Sequence, residues 1–211
     1  YILERSSVIY NGIRETAIDP TPLPTNDARI LWLGRLHYIK GFDVAIDAFS
    51  KTLQTHPHAR LMIAGDGPAR SSLEQQVEKY RLGHAVQFLG AYSPEEVYGL
   101  INQAIIVVVP TRVQEAFGQV ALEASQMGRP VVASHTGGLS EVILDGETGI
   151  LVPPEDSLAI AQALTWLLEN PEAAALMGHK GHHWAHTQFK HANFVNDYEA
   201  LYSKCKEDTT L

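Results

Sequence analysis

The sequence is short of several things, and each shortage excludes a class. There is one cysteine, Cys205, in 211 residues. An internal disulfide is therefore impossible, which fits a reducing compartment, and a cytoplasmic location is expected. No apolar run approaches the ~20 residues of a membrane-spanning helix. No stretch reads as a signal peptide. Peripheral contact of a larger enzyme with the cytoplasmic face of a membrane stays compatible with this. Positive charge is scarce, with 16 Lys and Arg against 24 Asp and Glu and a net charge of −8. That argues against a nucleic-acid-binding surface, though not against a local basic pocket for phosphate. No internal repeat suggests a solenoid. The length suits one domain with a sizeable core. The first residue is Tyr1 rather than Met, so a fragment or processed chain is expected.

What is present is organised around Ile105 to Ser134, which reads as strand, loop, helix, strand. Ile105 to Val109 are apolar and mostly β-branched, as in a buried parallel strand. Pro110 ends it. A polar loop from Thr111 to Phe117 carries Glu115, Gly118 opens a helix, and Gly128 closes it. Val131 to Ser134 is a second buried strand. In open α/β sheets, a loop of this kind at the carboxyl end of a strand is where ligands bind. The free N–H groups at Gly118, Gln119 and Val120 would favour an anion such as phosphate. Glu115 and Glu123 lie eight positions apart, about 12 Å along a helix. That span suits a nucleotide diphosphate sugar, with the sugar at Glu115 and the ribose at Glu123. Read alone, the pair is better accounted for by a helix-capping Glu115 and an exposed helical Glu123.

The remaining punctuation repeats the strand-then-helix pattern. Val8 to Gly12 reads as a short strand with a turn signal, followed by a linker punctuated by Pro20, Pro22 and Pro24. Ile30 to Leu33 is a buried strand followed by Gly34, Arg35 and Leu36, with Lys40-Gly41 before a helix from Phe42 to Leu53. Arg35 and Lys40 flank that loop; they suit a diphosphate leaving group, or are solvated surface charges. Arg60 to Ala64 is a strand turned by Gly65-Asp66-Gly67-Pro68 into a helix reaching about Leu82, with Asp66 the expected cap. Val86 to Gly90 is a third strand. Ser93-Pro94-Glu95-Glu96 reads as a helix start with Ser93 as N-cap. Gly137-Gly138 permits close backbone approach to a ligand, or is a plain turn. Gly149 to Val152 is the last strand; Asp156-Ser157 caps a helix to about Glu169, and further helices are expected over Pro171 to Phe189 and roughly Ala192 to Lys204. His179 with His183, and His182 with His186, share helix faces, but no carboxylate or Cys completes a metal site at matching spacing. Strands separated by helices imply a Rossmann-like, doubly wound parallel sheet of about six strands, an α/β fold.

The segment PTRVQEAFGQVALEASQMGRPVVAS, followed by TGGLSEVI, resembles the donor-binding half of retaining GT-B glycosyltransferases, the family 4 group (glycosyl transferases group 1). The resemblance rests on Pro110, Thr111, Glu115, Phe117, Gly118 and Glu123, joined by the G-R-L-x3-K-G of Gly34 to Gly41 and the G-D-G-P of Gly65 to Pro68. It covers most of the chain and implies one half of a GT-B fold, with residues 1–28 as interdomain hinge and linker and 29–211 as the nucleotide-sugar-binding domain. An N-terminal acceptor-binding domain would be missing. The implied reaction moves a sugar from a nucleotide diphosphate sugar, UDP- or GDP-linked, to an acceptor hydroxyl without a required metal or other cofactor. Arg35, Lys40 and Glu115 would be catalytic. Gly34, Gly65, Phe88, Phe117, Gly118, Gln119, Val120, Glu123, Gly137 and Gly138 would bind donor, with the base held near the end of the Val86 to Gly90 strand. A GT-B type nucleotide-sugar epimerase and a non-catalytic nucleotide-sugar-binding module are the alternatives. The chain alone is expected to bind donor but not to transfer sugar.

Overall fold

The computed structural model describes residues 7–13, 16–24 and 28–208, without the side chains of 207 and 208. Parts of the expected 1–28 hinge therefore lie outside the described residues. Six strands alternate with helices: β1 (Arg29–Leu33), α1 (Phe42–Thr55), β2 (Arg60–Ala64), α2 (Arg70–Lys79), β3 (Val86–Gly90), α3 (Glu96–Asn102), β4 (Ile106–Val109), α4 (Gln119–Gln126), β5 (Val131–Ser134), α5 (Leu139–Val142), β6 (Gly149–Val152), α6 (Ser157–Glu169), α7 (Pro171–Gln188) and α8 (His191–Asp208). The strands form one sheet in the order β3-β2-β1-β4-β5-β6, and every pairing is parallel. This is the expected Rossmann-like fold.

Side chains alternate across each strand and divide the core in two. Ile30 and Trp32 of β1, with Leu61, Ile63 and Val108, pack under α1, α2 and α6. Leu31 and Leu33, with Met62, Val107, Val131 and Ala133, pack under α3, α4 and α7. Burial on both faces explains the continuous apolar runs of the central strands.

Three local readings change. Val8 to Gly12 forms no strand. That segment instead crosses the end of α7: Tyr10 meets Phe189 and Phe117 edgewise or tilted, and the Ile13 N–H donates to the Phe189 carbonyl at 2.7 Å. Asp66 does not cap α2, which starts at Arg70. Its Oδ1 accepts from the Gly67 N–H at 2.7 Å, so the side chain closes the turn rather than the helix. Regular helix α3 begins at Glu96, beyond the expected Ser93 cap, yet the Ser93 N–H still donates to Glu96 Oε2 at 2.7 Å.

Arg129, buried between α4 and β5, is a cation that pairs with no carboxylate among the described residues. Its guanidinium donates to the carbonyls of Ile101, Asn102, Met127 and Thr21, and to the Thr21 and Asn102 side chains, at 2.8–3.2 Å. Burial pushes its pKa down to about 10, so it stays charged at neutral pH. It thereby collects the open carbonyl end of α3 and fastens the proline-rich linker to the sheet.

Two glycines in helices meet opposite surroundings. A Cβ on Gly178 of α7 would overlap the Gly128 carbonyl, whereas one on Gly99 of α3 would meet nothing within 4 Å. We expect Gly99→Ala to stabilise the protein by about 0.5–1 kcal/mol through helix propensity. Gly178→Ala should destabilise it by about 1–3 kcal/mol, because α7 must move off α4. Urea midpoints of the two variants check both signs.

Candidate functional site

The winding of the sheet reverses between β1 and β4. From β1 the chain moves to β2 on one side, and from β4 to β5 on the other. The two strand ends therefore open a crevice at their carboxyl edge. Two adjoining cavities fill it. One of about 530 Å³ is lined by Leu33, Tyr92, Gln119, Val120, Glu123 and Phe194, among others. The other, about 110 Å³, is lined by Gly34, Lys40, Pro110, Thr111, Glu115, Gln119 and others. Leu33, Gln119 and Val120 belong to both. They make one groove along the start of α4, with Lys40 and Glu115 at one end and Glu123 and Tyr92 at the other.

The α4 N-terminus enters this groove uncapped by a side chain. Gly118 is its N-cap, in left-handed conformation at φ 99°, and has no side chain to accept from the first-turn N–H groups. The first-turn N–H groups thus remain a partial positive charge facing the groove. Lys40 arrives from a 3-10 turn, Tyr38–Lys40, held by His37, whose Nδ1 accepts from the Ile39 N–H at 3.3 Å. Gly41 follows at φ 67°, and a Cβ there would overlap the Pro110 carbonyl oxygen. Only glycine lets the loop after β1 lie against the loop after β4. The Lys40 ammonium then pairs with Glu115.

Glu115 is supported from behind. A Cβ on Gly137 would overlap its carbonyl oxygen, and the Gly138 N–H donates to that oxygen at 2.8 Å. The close approach made by the Gly137-Gly138 turn is thus to the Glu115 backbone. At the far end, Gln119 donates to Glu123 Oε1 at 3.3 Å. Burial and then the charge of Glu123 raise the Tyr92 phenol to about 12, which keeps it a proton donor at neutral pH.

Of the residues singled out in the sequence, Gly34, Lys40, Glu115, Gln119, Val120 and Glu123 line the groove. Gly118 caps its helix. Arg35 sits on the same loop as Lys40, but its exposed side chain lines neither cavity. Gly65 packs on the Gly34 carbonyl and donates to the Gly90 carbonyl at 2.7 Å, joining the ends of β1, β2 and β3. Phe88 is partly buried and packs against the core on the α1 and α2 side, and Phe117 packs on Tyr10 and Phe189. Tyr92, Tyr98, Asn11, His191 and Phe194 line the groove without having been anticipated. Only Tyr92 left a trace, standing two positions past the end of β3. The other four come from elements whose place is set by tertiary packing.

A further cavity of about 630 Å³, which meets the groove at His191, lies between the linker, the ends of α4 and α7 and the start of α8, lined by His182, His186, Lys190 and His191. His182 Nδ1 is 2.6 Å from the Gln126 carbonyl and His186 Nδ1 is 2.9 Å from the His182 carbonyl. Both rings are thereby fixed to backbone. Among the described residues no three His, Cys, Asp or Glu side chains are grouped to hold a metal.

Arg112, unremarked in the sequence, is the most heavily bonded side chain around the groove. It forms a two-pronged pair with Asp43 at 2.6 and 2.7 Å, bonds Glu155 at 2.7 Å, and lies over the Tyr38 ring at 4.1 Å.

The pattern of glycosyl transferases group 1 matches residues 13–184. The chain belongs to that family. It is 39% identical over 150 residues to a glycogen synthase of Mycobacterium tuberculosis, covering 71% of this chain and 36% of the relative. It is 35% identical over 162 residues to the D-inositol 3-phosphate glycosyltransferase of Corynebacterium diphtheriae, covering 74% of this chain and 38% of that one. The chain thus spans well under half the length of these two relatives. Among solved structures, Anabaena HepE in complex with UDP and glucose superposes with a TM-score of 0.79 at 26% identity, over 84% of this chain and 48% of that one. The C-terminal domain of the group 1 protein LpcC from Francisella tularensis superposes at 0.72 with 29% identity, over 80% of this chain and 88% of that domain. These neighbours share the GT-B type of parallel α/β sheet.

The Arg112 pair makes a pH prediction. Burial pushes the Asp43 carboxyl up, but hydrogen bonds and charge from Arg112, with backbone N–H groups, outweigh it and hold its pKa below the ordinary 3.8. A carboxylate lowered in the folded state adds stability above its ordinary value and loses it as pH falls through the folded one. We expect Asp43→Asn to reduce the fall in urea midpoint between about pH 5 and about pH 2. Asp47, lowered in the same direction by Lys51, Ser157 and Tyr80 against the opposing effect of burial, keeps the remaining slope.

Proposed function

We propose that this chain is the donor-binding half of a retaining glycosyltransferase of family 4, acting on a nucleotide diphosphate sugar. The observation that carries the proposal is the groove itself. One cation, one uncapped helix N-terminus and two carboxylates are strung along it in the order a sugar, a diphosphate and a ribose would need. The HepE complexes with UDP and with UDP-glucose support a uridine donor, and a GDP-sugar stays within the proposal.

In this reading the diphosphate lies across the α4 N-terminus with Lys40 on its outer phosphate. Arg35 swings in from the loop edge. As the glycosidic C–O bond lengthens, negative charge gathers on the leaving phosphate, and these cations stabilise it most strongly there. The acceptor hydroxyl attacks from the same face, forming the new C–O bond, and its proton passes to the leaving phosphate oxygen. Configuration is retained. Glu115 accepts hydrogen bonds from sugar hydroxyls and fixes the ring, while Glu123 accepts from the ribose and Tyr92 stands beside it. Cations and N–H groups do the electrostatic work that a metal would otherwise supply. The acceptor half would come from a further N-terminal domain, and the outward Tyr198 and Tyr202 of α8 offer surface for that domain to cover.

The groove is tested by calorimetry with UMP, UDP and UDP-glucose, and with the guanosine series. Glu123→Ala should weaken every nucleotide of the preferred series by about 1–3 kcal/mol, the range for charge-assisted hydrogen bonds. Lys40→Ala should weaken the diphosphates while sparing the monophosphate. Unchanged UDP and GDP affinities in Glu123→Ala would remove the ribose assignment.

Turnover gives a second test. Transfer needs an acceptor held in line and water excluded, which domain closure provides. Mass spectrometry of the purified chain incubated with donor and candidate acceptors should show bound nucleotide and at most slow donor hydrolysis, with no glycosylated or epimerised product. Acceptor glycosylation at ordinary enzymatic rates would contradict the need for a second domain.

A further inference from the structure

We infer that Arg112 is a positioning residue for the groove: it holds the Lys40 turn and the Glu115 loop in register, and without it the diphosphate end of the site loosens. The inference rests on the donor-site reading above and adds to it a residue that touches no part of the groove.

The geometry carries the argument. Arg112 sits in the loop after β4, three positions before Glu115. Its backbone N–H donates to the Ile39 carbonyl at 2.8 Å, and its Nη1 donates to the Tyr38 carbonyl at 2.8 Å. Thr111 Oγ1 adds a third bond to the Ile39 carbonyl at 3.2 Å. Every one of these bonds falls on the short turn whose last residue is Lys40. The guanidinium plane covers the Tyr38 ring, and its fork closes on both oxygens of Asp43 in the first turn of α1. Nε reaches Glu155, in the loop after β6. One side chain therefore ties together the loops that follow β1, β4 and β6.

Arg112 is not itself suited to hold phosphate. Two carboxylates already neutralise it, and its side chain is only 11% exposed. Breaking the Asp43 fork to reach an anion would strand that carboxylate. Glu155 supplies an independent sign of constraint, since it holds a φ of 64°, where residues other than glycine are uncommon. The guanidinium fork is what joins the three loops, and a lysine ammonium cannot reproduce a flat two-pronged bond together with the ring contact.

The experiment compares UMP and UDP binding, or GMP and GDP if the guanosine series is preferred, in the purified chain and in Arg112→Gln, Arg112→Lys, Asp43→Asn and Lys40→Ala. Thermal melting checks that each variant is folded. Arg112→Gln should lose about tenfold in diphosphate affinity, on the scale of one charge-assisted hydrogen bond, with the monophosphate nearly unchanged. Arg112→Lys should restore little of it. Asp43→Asn should give a similar selective loss, and the Asp43→Asn/Arg112→Gln double variant should lose no more than either alone, as expected of one shared contact. If Arg112→Gln fails to fold, Arg112→Lys and Glu155→Gln carry the same comparison. Equal weakening of mono- and diphosphate, or none, in an Arg112 variant while Lys40→Ala remains selective overturns the inference and leaves the donor site standing. Loss of selectivity in Lys40→Ala itself overturns the donor-site reading, and this inference with it.

Discussion

The contact between the loop after β1 and the loop after β4 is the constraint on which the site depends. These strands are neighbours in the sheet, paired from Ile30 with Ile106 to Trp32 with Val108, yet their following helices lie on opposite faces. The loops must therefore part over the crevice while staying in touch at its floor. Gly41 allows this by packing its bare Cα on the Pro110 carbonyl. Without that approach, Lys40 and Glu115 could not share one end of a groove.

Glycines stand at several of the places where strand ends, loops or helices close on each other. Gly65 lies on Gly34, Gly137 and Gly138 lie on the Glu115 loop, and Gly178 lies on Gly128. In each pair a backbone carbonyl occupies the place of a side chain. The site is shaped as much by these backbone contacts as by its charged groups, and the backbone of Glu115 is fixed from beneath before any ligand is considered.

Three cations show how surroundings assign roles. Arg129 is sealed among carbonyls and serves only the fold. Arg112 is held by two carboxylates and an aromatic ring, so its charge is already answered. Lys40 has one carboxylate partner in a half-open groove beside a helix N-terminus. The charge is the same in all three, and accessibility and partner count decide which of them can meet a diphosphate.

The sequence by itself determined the parallel α/β architecture, because β-branched runs ended by Gly or Pro alternate with helical periods, and both signals are local. It also placed Gly34, Lys40, Glu115, Gln119, Val120 and Glu123 at strand ends and a helix start, where ligands of such sheets bind. It misplaced what depends on neighbours distant in the chain. Val8 to Gly12 has the composition of a strand but forms none, and its Tyr10 lies against Phe189, just past α7, and Phe117, in the loop before α4. Asp66 has the chemistry of a helix cap but closes a turn, because Gly67 and Pro68 delay α2. Arg112 carries no motif, since its partners Tyr38, Asp43 and Glu155 come from two other loops and a helix start. Only the folded sheet, by bringing the ends of β1, β4 and β6 side by side, turns that scattered set into a single clamp.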